Sequence, residues 1–417
     1  MGNVTHYFKS RNVIYDKIEK EGEISFRKND KKLLDDKERS ITDKEFNNQI
    51  KKEISKFIYP IENIVLLAGA GASIVNDLDG SPDKNYGHTI NMLAQAVDEV
   101  LNESKDLYSL DEMSGLCKYN ISIKKDNDDE ESTKIYNSDF ILEDFLSKVL
   151  AYEEFIDDNS VKDKYIRTKK EILQTIIEKT SYSFDSEKHK HASLINILSN
   201  MIKTPERVSI VTTNYDTLFE EAAESLDFII FDGFSFSSQP KFNIDLFDWS
   251  LVRPIHNIKS DKVEYKKQTI NLLKIHGSLT WQIKDTNIIR QQKIISLNEG
   301  KPIMIFPSSN KYSHSYEKPY FELFSKFQEL LKKPNTILIT SGFSFADNHI
   351  AKMIVQAIKT SPSLSLLVTD FSIDPTSKNE NWIKIENMME SGYKIAFLKA
   401  TLDSDLISYF GGNTNDN

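Results

Sequence analysis

The segment Asn63–Ser73, with the sequence NIVLLAGAGAS, most constrains how this chain can fold. Residues 64–67 form a short, continuous apolar run rich in branched side chains, which is typical of a strand buried on both faces of a parallel sheet. Gly69 and Gly71 follow, and because they carry no Cβ they allow the backbone to turn sharply and to approach a bound group. A helix beginning near Ser73 would direct its free N–H groups toward a diphosphate. The segment therefore predicts a strand followed by a nucleotide-binding turn.

The turn does not complete the dinucleotide-binding pattern G-x-G-x-x-G, because Ile74 stands where the pattern requires a third glycine. Glycine turns after strands also occur without a ligand, so two interpretations stay open: a phosphate-binding loop and a purely structural turn. Under the first interpretation, the predicted nucleotide contacts are Gly69, Ala70, Gly71, Ala72 and Ser73.

Three later segments also run from an apolar strand into a polar turn. They are residues 209–216 (SIVTTNYD), 272–278 (LLKIHGS) and 336–344 (TILITSGFS). Ligands of open α/β sheets bind at the carboxyl ends of the strands, so we expect these turns to meet the glycine loop at one edge of the sheet. The repeated β-α alternation from Ile64 to Val368 predicts an α/β fold with a doubly wound parallel sheet.

The glycine loop, TTNYD, KIHGS and SGFS, in this order, resemble the motifs of the sirtuin (silent information regulator two-like) family, specifically its bacterial antiphage-defence branch. The resemblance covers about residues 63–347. It implies a Rossmann-like sirtuin fold that binds NAD⁺ as a substrate and cleaves the nicotinamide-ribose bond.

The family's deacylases carry a four-cysteine zinc ribbon, which this chain cannot make because Cys117 is its single cysteine. We therefore expect no zinc ribbon and no metal site. The sequence Lys188-His-Lys-His191 does not change this expectation, since its lysines oppose a cation and alternate residues diverge on a helix.

His276 is the first candidate for chemistry. A neutral imidazole can take a proton from a ribose hydroxyl or from water, and the following Gly277 leaves room for a sugar. The alternative is a histidine that bonds a backbone carbonyl at a strand end. By the resemblance, the histidine of the HG pair is the base near the nicotinamide ribose, and this role falls to His276, with Gly277 as an NAD⁺ contact.

Asn214 and Asp216 follow a strand with their side chains on the same side, because the strand period is two. An asparagine can hold a water or a ribose hydroxyl, and a carboxylate can offset developing positive charge. The alternative is an Asx turn that closes the strand. The resemblance makes Asn214 catalytic and Asp216 an NAD⁺ contact; Thr213, also a predicted contact, stands where the family has a glutamine.

Gly342 and Ser344 resemble the family's late glycine-serine turn, which holds the adenosine ribose and the phosphates. Two nearby residues have no predicted function. Asp347 lies close to this turn in sequence, and Lys274 precedes the HG pair on a strand where we expect it to occupy an edge position.

Residues 1–60 are strongly charged and predict a charged helical extension, in which residues 28–39 form a solvated loop or a frayed helix. A helix is expected at Thr42–Phe57, where apolar residues recur at helical spacing. Residues 61–417 are the predicted NAD-binding catalytic domain, with a helical insertion at about 76–205. The helix of the extension either packs on the core or binds a partner.

The net charge of −10 argues against a protein that grips nucleic acid directly. No apolar stretch is long enough for a transmembrane helix and the amino terminus has no apolar signal-peptide core, so we expect a cytoplasmic protein without membrane contact.

Three functions stay open: an NAD⁺ hydrolase that depletes NAD in antiphage defence by abortive infection, an NAD-dependent protein deacylase, and a non-catalytic module that senses NAD or ADP-ribose. The missing zinc ribbon and the resemblance favour water as the acceptor, and hence hydrolysis. The resemblance further implies a homo-oligomer of high order in complex with a HerA-type hexameric ATPase.

Overall fold

Four strand segments predicted from the sequence lie side by side in the parallel part of an eleven-stranded sheet. The computed structural model describes residues 3–77, 80–83, 85–119, 123–124, 135–136, 142–255, 262–295, 297, 303–304 and 318–411. Its strands are β1 (Asn3–Ser10), β2 (Val13–Lys20), β3 (Glu23–Lys28), β4 (Lys31–Lys32), β5 (Asn63–Ala68), β6 (Ile123–Lys124), β7 (Ile135–Tyr136), β8 (Ser209–Thr212), β9 (Ile229–Phe231), β10 (Val252–Pro254), β11 (Val263–Tyr265), β12 (Thr269–Lys274), β13 (Gly277–Ser278), β14 (Trp281–Lys284), β15 (Asn287–Arg290), β16 (Ile303–Met304), β17 (Thr336–Ser341), β18 (Ser365–Asp370) and β19 (Ile395–Lys399).

The helices of the described ranges surround this sheet, and none of them is both long and apolar enough to cross a membrane. They are α1 (Asp43–Ile58), α2 (Ile90–Glu103), α3 (Leu110–Leu116), α4 (Leu142–Tyr152), α5 (Asn159–Thr180), α6 (His191–Met201), α7 (Leu218–Glu224), α8 (Tyr320–Lys332), α9 (Asn348–Thr360), α10 (Glu380–Glu390) and α11 (Leu406–Phe410).

The strand order of the central sheet is β4-β3-β2-β1-β19-β18-β17-β5-β8-β12-β9. All neighbours from β19 to β9 pair in parallel. The chain places β8, β12 and β9 on one side of β5 and later places β17, β18 and β19 on the other. The predicted doubly wound parallel sheet is confirmed, and its strand order reverses at β5 and β17, the position where such sheets bind ligands.

Strand β5 is buried on both faces, as its continuous apolar run predicts. Ile64 and Leu66 belong to the apolar layer on one face, whereas Val65 and Leu67 belong to the layer on the other. Because each layer packs against its own set of helices, β5 is held on both faces, and the glycine loop at its end has a fixed position between the two layers.

The amino-terminal segment differs from the predicted helical extension. Residues 3–28 form strands β1 to β3, and β1 pairs antiparallel with β19, so the central sheet continues into this segment. One face of these strands packs on α1, where Phe26 stacks on Phe46 at a centroid distance of 4.5 Å. Charged residues are accommodated in pairs, such as His6 with Asp16 and Lys9 with Glu386. The predicted solvated loop or frayed helix at 28–39 is wrong at its start, where β3 and β4 pair.

Helix α1 is confirmed, with Thr42 as its N-cap in a capping box with Glu45. Phe46, Ile50 and Ile54 are buried in the core beneath the sheet. The apolar stripe of the helix is therefore used by the fold, which leaves only its polar face for a partner.

Helices α2 to α5 share an apolar core of their own, built around Val97, Phe145 and Ile172. Cys117 lies in this core, where burial raises the pKa of its thiol to about 11. Helix α6 packs instead on the sheet, through Leu194 and Leu198. The described residues of this region form helices α2 to α6 and the short strands β6 and β7. The predicted helical insertion at about 76–205 and the division at residue 60 stay predictions.

Candidate active site

The carboxyl ends of β17, β5, β8 and β12 lie next to one another in the sheet. The structure therefore brings all four predicted turns to the same edge. The glycine loop follows β5, Asn214 and Asp216 follow β8, His276 follows β12, and Gly342 follows β17.

The glycine loop and the SGFS turn are joined through their backbones. The amide of Gly69 donates to the carbonyl of Ser341 at 3.0 Å, and the amide of Gly71 donates to the carbonyl of Gly342 at 3.1 Å. A Cβ on Gly69 would lie 2.6 Å from the Gly342 oxygen, and one on Gly71 would lie 2.8 Å from the Gly342 Cα. Because Gly69 and Gly71 have no side chains, the SGFS turn can pack directly against the glycine loop.

Ser73 does not begin a helix, so the condition under which free helical N–H groups would face a diphosphate is not met. Residues 70–72 form one 3-10 turn, in which the amide of Ser73 donates to the carbonyl of Ala70 at 3.1 Å, and the next helix begins only at Ile90. The reason lies in the packing against Gly342, which fixes the loop in a tight turn. The amides of Gly69, Gly71, Ala72 and Ser73 all donate to backbone carbonyls, so a diphosphate at this loop would meet neither free amides at these positions nor the dipole of a long helix.

A buried polar network links the glycine loop to the TTNYD turn. The Ser73 hydroxyl donates to Asp216 Oδ2 at 2.7 Å, and Asn214 Nδ2 donates to Ser73 Oγ at 2.8 Å and to the Gly69 carbonyl at 3.0 Å. These three side chains are less than a tenth exposed. Hydrogen bonds of this kind fix the orientation of both Asn214 and Asp216 before any ligand arrives.

Asp216 combines the two roles that the sequence left open. Its Oδ1 accepts from the amide of Leu218 at 3.2 Å, which is the Asx-turn contact, while its Oδ2 accepts from Ser73. The structural turn and the polar network therefore use different oxygens of one carboxylate.

His276 lies beside a carboxylate that the sequence analysis left without a function. Its Nε2 is 3.3 Å from Asp347 Oδ2, and both side chains are about nine-tenths buried. The other carboxylate oxygen of Asp347 accepts from the amides of His349 and Ile350 and so caps α9. A carboxylate beside Nε2 favours the tautomer with its proton on Nε2, which leaves Nδ1 as the proton acceptor.

The sequence around Asp347 indicates a helix cap but does not indicate a contact with His276. An aspartate before a helical pattern is a capping signal. The contact to His276 joins two turns that are distant in sequence, and no local pattern encodes it.

Lys274 is buried in the interior of the sheet, since β12 lies between β8 and β9; the expected edge position is wrong. Its ammonium group donates to the backbone carbonyl of Asp216 and lies 3.0 Å from Glu220 Oε1. Burial raises the pKa of the Glu220 carboxyl group, and the nearby Lys274 opposes that rise.

Thr213 and Ser344 lie outside the buried network. The Thr213 amide donates to the carbonyl of Ala68 at 3.1 Å, which continues the pairing of β5 and β8. Ser344 is exposed, and its carbonyl accepts from Asn379 Nδ2 at 2.7 Å. Both residues lie in turns at the carboxyl edge of the sheet, and their contact with NAD⁺ stays a prediction.

The histidines of the KHKH segment lie behind the site. His191 is fully buried against Phe219, with ring centroids 4.7 Å apart, and burial lowers the pKa of its imidazole to about 3. Within the described ranges, no group of three or more His, Cys, Asp or Glu side chains is placed to bind a metal ion.

A family model for the SIR2-like domain matches residues 208–389 of the chain. The match supports a sirtuin-like family. The matched segment contains TTNYD, KIHGS and SGFS, and thus Asn214, His276 and Asp347, but begins after the glycine loop. No curated protein sequence matches the chain. Because SIR2-like domains bind NAD, the match is consistent with an NAD-utilising enzyme and agrees with the Rossmann-like sheet.

Proposed function

We propose that this protein is an NAD⁺ hydrolase, which cleaves the nicotinamide-ribose bond to give nicotinamide and ADP-ribose. The observation that carries the proposal is that Asn214 and Asp216 follow β8 and His276 follows the adjacent β12, so that all three lie at the carboxyl edge of the sheet. Two of these residues are already oriented by hydrogen bonds to the glycine loop, and all three belong to the segment that matches the SIR2-like domain.

The proposed reaction passes through an oxocarbenium-like state. The bond between the ribose C1′ and the pyridinium nitrogen breaks, and its electron pair leaves with nicotinamide, which becomes neutral. The carboxylate of Asp216 offsets the positive charge that develops on the ribose. The site therefore needs a fixed negative charge and a placed water more than it needs a strong nucleophile.

Water completes the reaction at C1′. Asn214 holds the water beside the anomeric carbon, and His276 takes the proton that the water or a ribose hydroxyl releases. Asp347 keeps the proton of His276 on Nε2, so that Nδ1 is free to act as the base. The new C1′–O bond gives ADP-ribose, and the proton passes from His276 to solvent.

Incubation of the purified protein with NAD⁺ tests the proposal directly. We expect nicotinamide and ADP-ribose in equal amounts without any added acceptor. A parallel reaction contains an acylated peptide: nicotinamide release that requires the peptide, with transfer of its acyl group, would establish a deacylase and overturn hydrolysis as the function. Binding of NAD⁺ without release of nicotinamide under either condition would establish a sensing module.

For the cellular role we propose depletion of cytoplasmic NAD during phage infection, by a high-order homo-oligomer bound to a HerA-type hexameric ATPase. The support is the resemblance of the four motifs to the defence branch of the sirtuin family. Mass photometry of the protein alone and after co-expression with a neighbouring ATPase measures both assemblies. A fully active monomer that never binds the ATPase would contradict this role.

A further inference from the structure

Lys274 is a buried cation directly behind the candidate site. It is the last residue of β12, two residues before His276, which lies in the turn after the strand. The side chain of Lys274 is only 2% exposed. A lysine at such a position is costly to bury unless its ammonium group is fully engaged.

The ammonium group of Lys274 contacts both ends of the segment Asp216–Glu220, which runs from the TTNYD turn into α7. It donates to the backbone carbonyl of Asp216 and pairs with Glu220 in the first turn of α7. The Asp216 side chain in turn holds Ser73. One cation at the end of β12, the strand that precedes His276, thus holds the segment that carries Asn214 and Asp216. Through Asp216 and Ser73 it is linked to the glycine loop.

We propose that Lys274 is a positioning residue, which holds the backbone of the Asn214–Asp216 turn in the correct position relative to His276. The inference rests on the proposed NAD⁺ hydrolysis and deepens it. The competing explanation is that Lys274 only neutralises Glu220. That explanation accounts for the ion pair but not for the bond to the Asp216 carbonyl.

The two explanations differ in what happens when both charges are removed. Breaking a buried ion pair by removing one partner destabilises a protein, whereas replacing both partners is often nearly neutral. Lys274→Met alone leaves Glu220 uncompensated, so stability and activity both suffer. In the double variant Lys274→Met/Glu220→Gln the uncompensated charge is gone, but the Asp216 carbonyl still lacks its donor.

The experiment compares the wild type, the single variant and the double variant by thermal melting and by steady-state nicotinamide release. For the double variant we expect a melting temperature restored toward that of the wild type, a kcat at least about tenfold lower, and a KM within about threefold, because small displacements of reacting groups cost rate more than binding. A double variant whose kcat returns to within twofold of the wild type would overturn the inference, and so would a single variant with full kcat.

Lys326→Met is the control. Lys326 is also buried, but its carboxylate partners Asp248 and Glu329 are more than half exposed and lie outside the site. We expect this variant to retain kcat; a comparable loss of kcat would show that the loss of any buried lysine lowers the rate and would overturn the inference. A wild-type protein that releases no nicotinamide would overturn the proposed function and the inference together, whereas an active wild type with an active double variant would overturn only the inference.

Discussion

On the β5–β17 side of the candidate site, two turns meet through backbone atoms, whereas on the β8–β12 side buried polar side chains hold one another in place. The β5–β17 side depends on the absence of side chains, since a Cβ on Gly69, Gly71 or Gly342 would overlap the backbone of the other turn. The second depends on Asn214 and Asp216, whose side chains hydrogen-bond to Ser73, to the Gly69 carbonyl and to the Leu218 amide. A substitution on the first side should therefore act through folding, and one on the second side through the reaction.

The largest effect is expected on the polar side. His276→Ala or Asn214→Ala should lower the rate of nicotinamide release by about 100-fold or more, because each removes a group that acts at the reacting carbon. Thermal melts should show that both variants remain folded. His6→Ala, in the amino-terminal strands, is the control and should keep the wild-type rate. Retention of more than a tenth of that rate in both site variants would contradict the assigned site.

The next effect is expected on the backbone side. Gly342 has a φ of +59°, and a Cβ at this position would overlap the backbone of Gly71 and Ala72. We expect Gly342→Ala to lower the free energy of unfolding by about 2–4 kcal/mol through strain and overlap. Chemical denaturation measures the change.

Gly115→Ala provides the contrast for that measurement. Gly115 lies in helix α3, and nothing lies within 4 Å of its built Cβ. Alanine is the better helix former there, so we expect a gain of about 0.5–1 kcal/mol. Equal stabilities for the two variants would show that the glycine loop and the SGFS turn are not rigidly joined.

The same contrast explains how much the sequence predicts. Strands β5, β8, β12 and β17 were recognisable because central parallel strands are continuous apolar runs, and their order along the chain placed the polar turns at one sheet edge. The contact of Gly71 with Gly342 was not recognisable. The sequence does not show whether the space beside a glycine is occupied by a ligand or by another turn of the chain.

The amino-terminal strands show a second limit of structure prediction from the sequence. Strand β1 pairs with β19 near the other end of the chain, and this pairing leaves no local signal. Charged residues in these strands conceal the strand pattern, because the structure accommodates them in pairs. The pairs Asp347–His276 and Lys274–Glu220 were missed for a similar reason: each joins residues whose own neighbourhoods indicate only a helix cap or a strand.

A smaller effect separates the two roles of Asp347. Asparagine caps helices as well as aspartate does, so Asp347→Asn should keep the cap of α9 and change the melting temperature little. The variant removes the negative charge beside His276 Nε2 and with it the fixed tautomer, so we expect kcat to fall roughly tenfold. Steady-state kinetics and thermal melts on the same samples measure both quantities. An unchanged kcat would limit Asp347 to the helix cap.

The smallest effect concerns His191, a buried residue that lies outside the polar network of Asn214 and Asp216. Neither ring nitrogen of His191 has a hydrogen-bond partner among the described residues, and burial holds the pKa of its imidazole at about 3, below the ordinary 6.5. The unfolded chain therefore binds more protons between these two values, so the wild type loses stability as the pH falls through this window. His191→Leu removes that contribution and should shift the melting temperature little at pH 7.5 but reduce the loss between pH 7.5 and 5.5. Equal losses for the two proteins would mean that His191 binds a proton in the folded state.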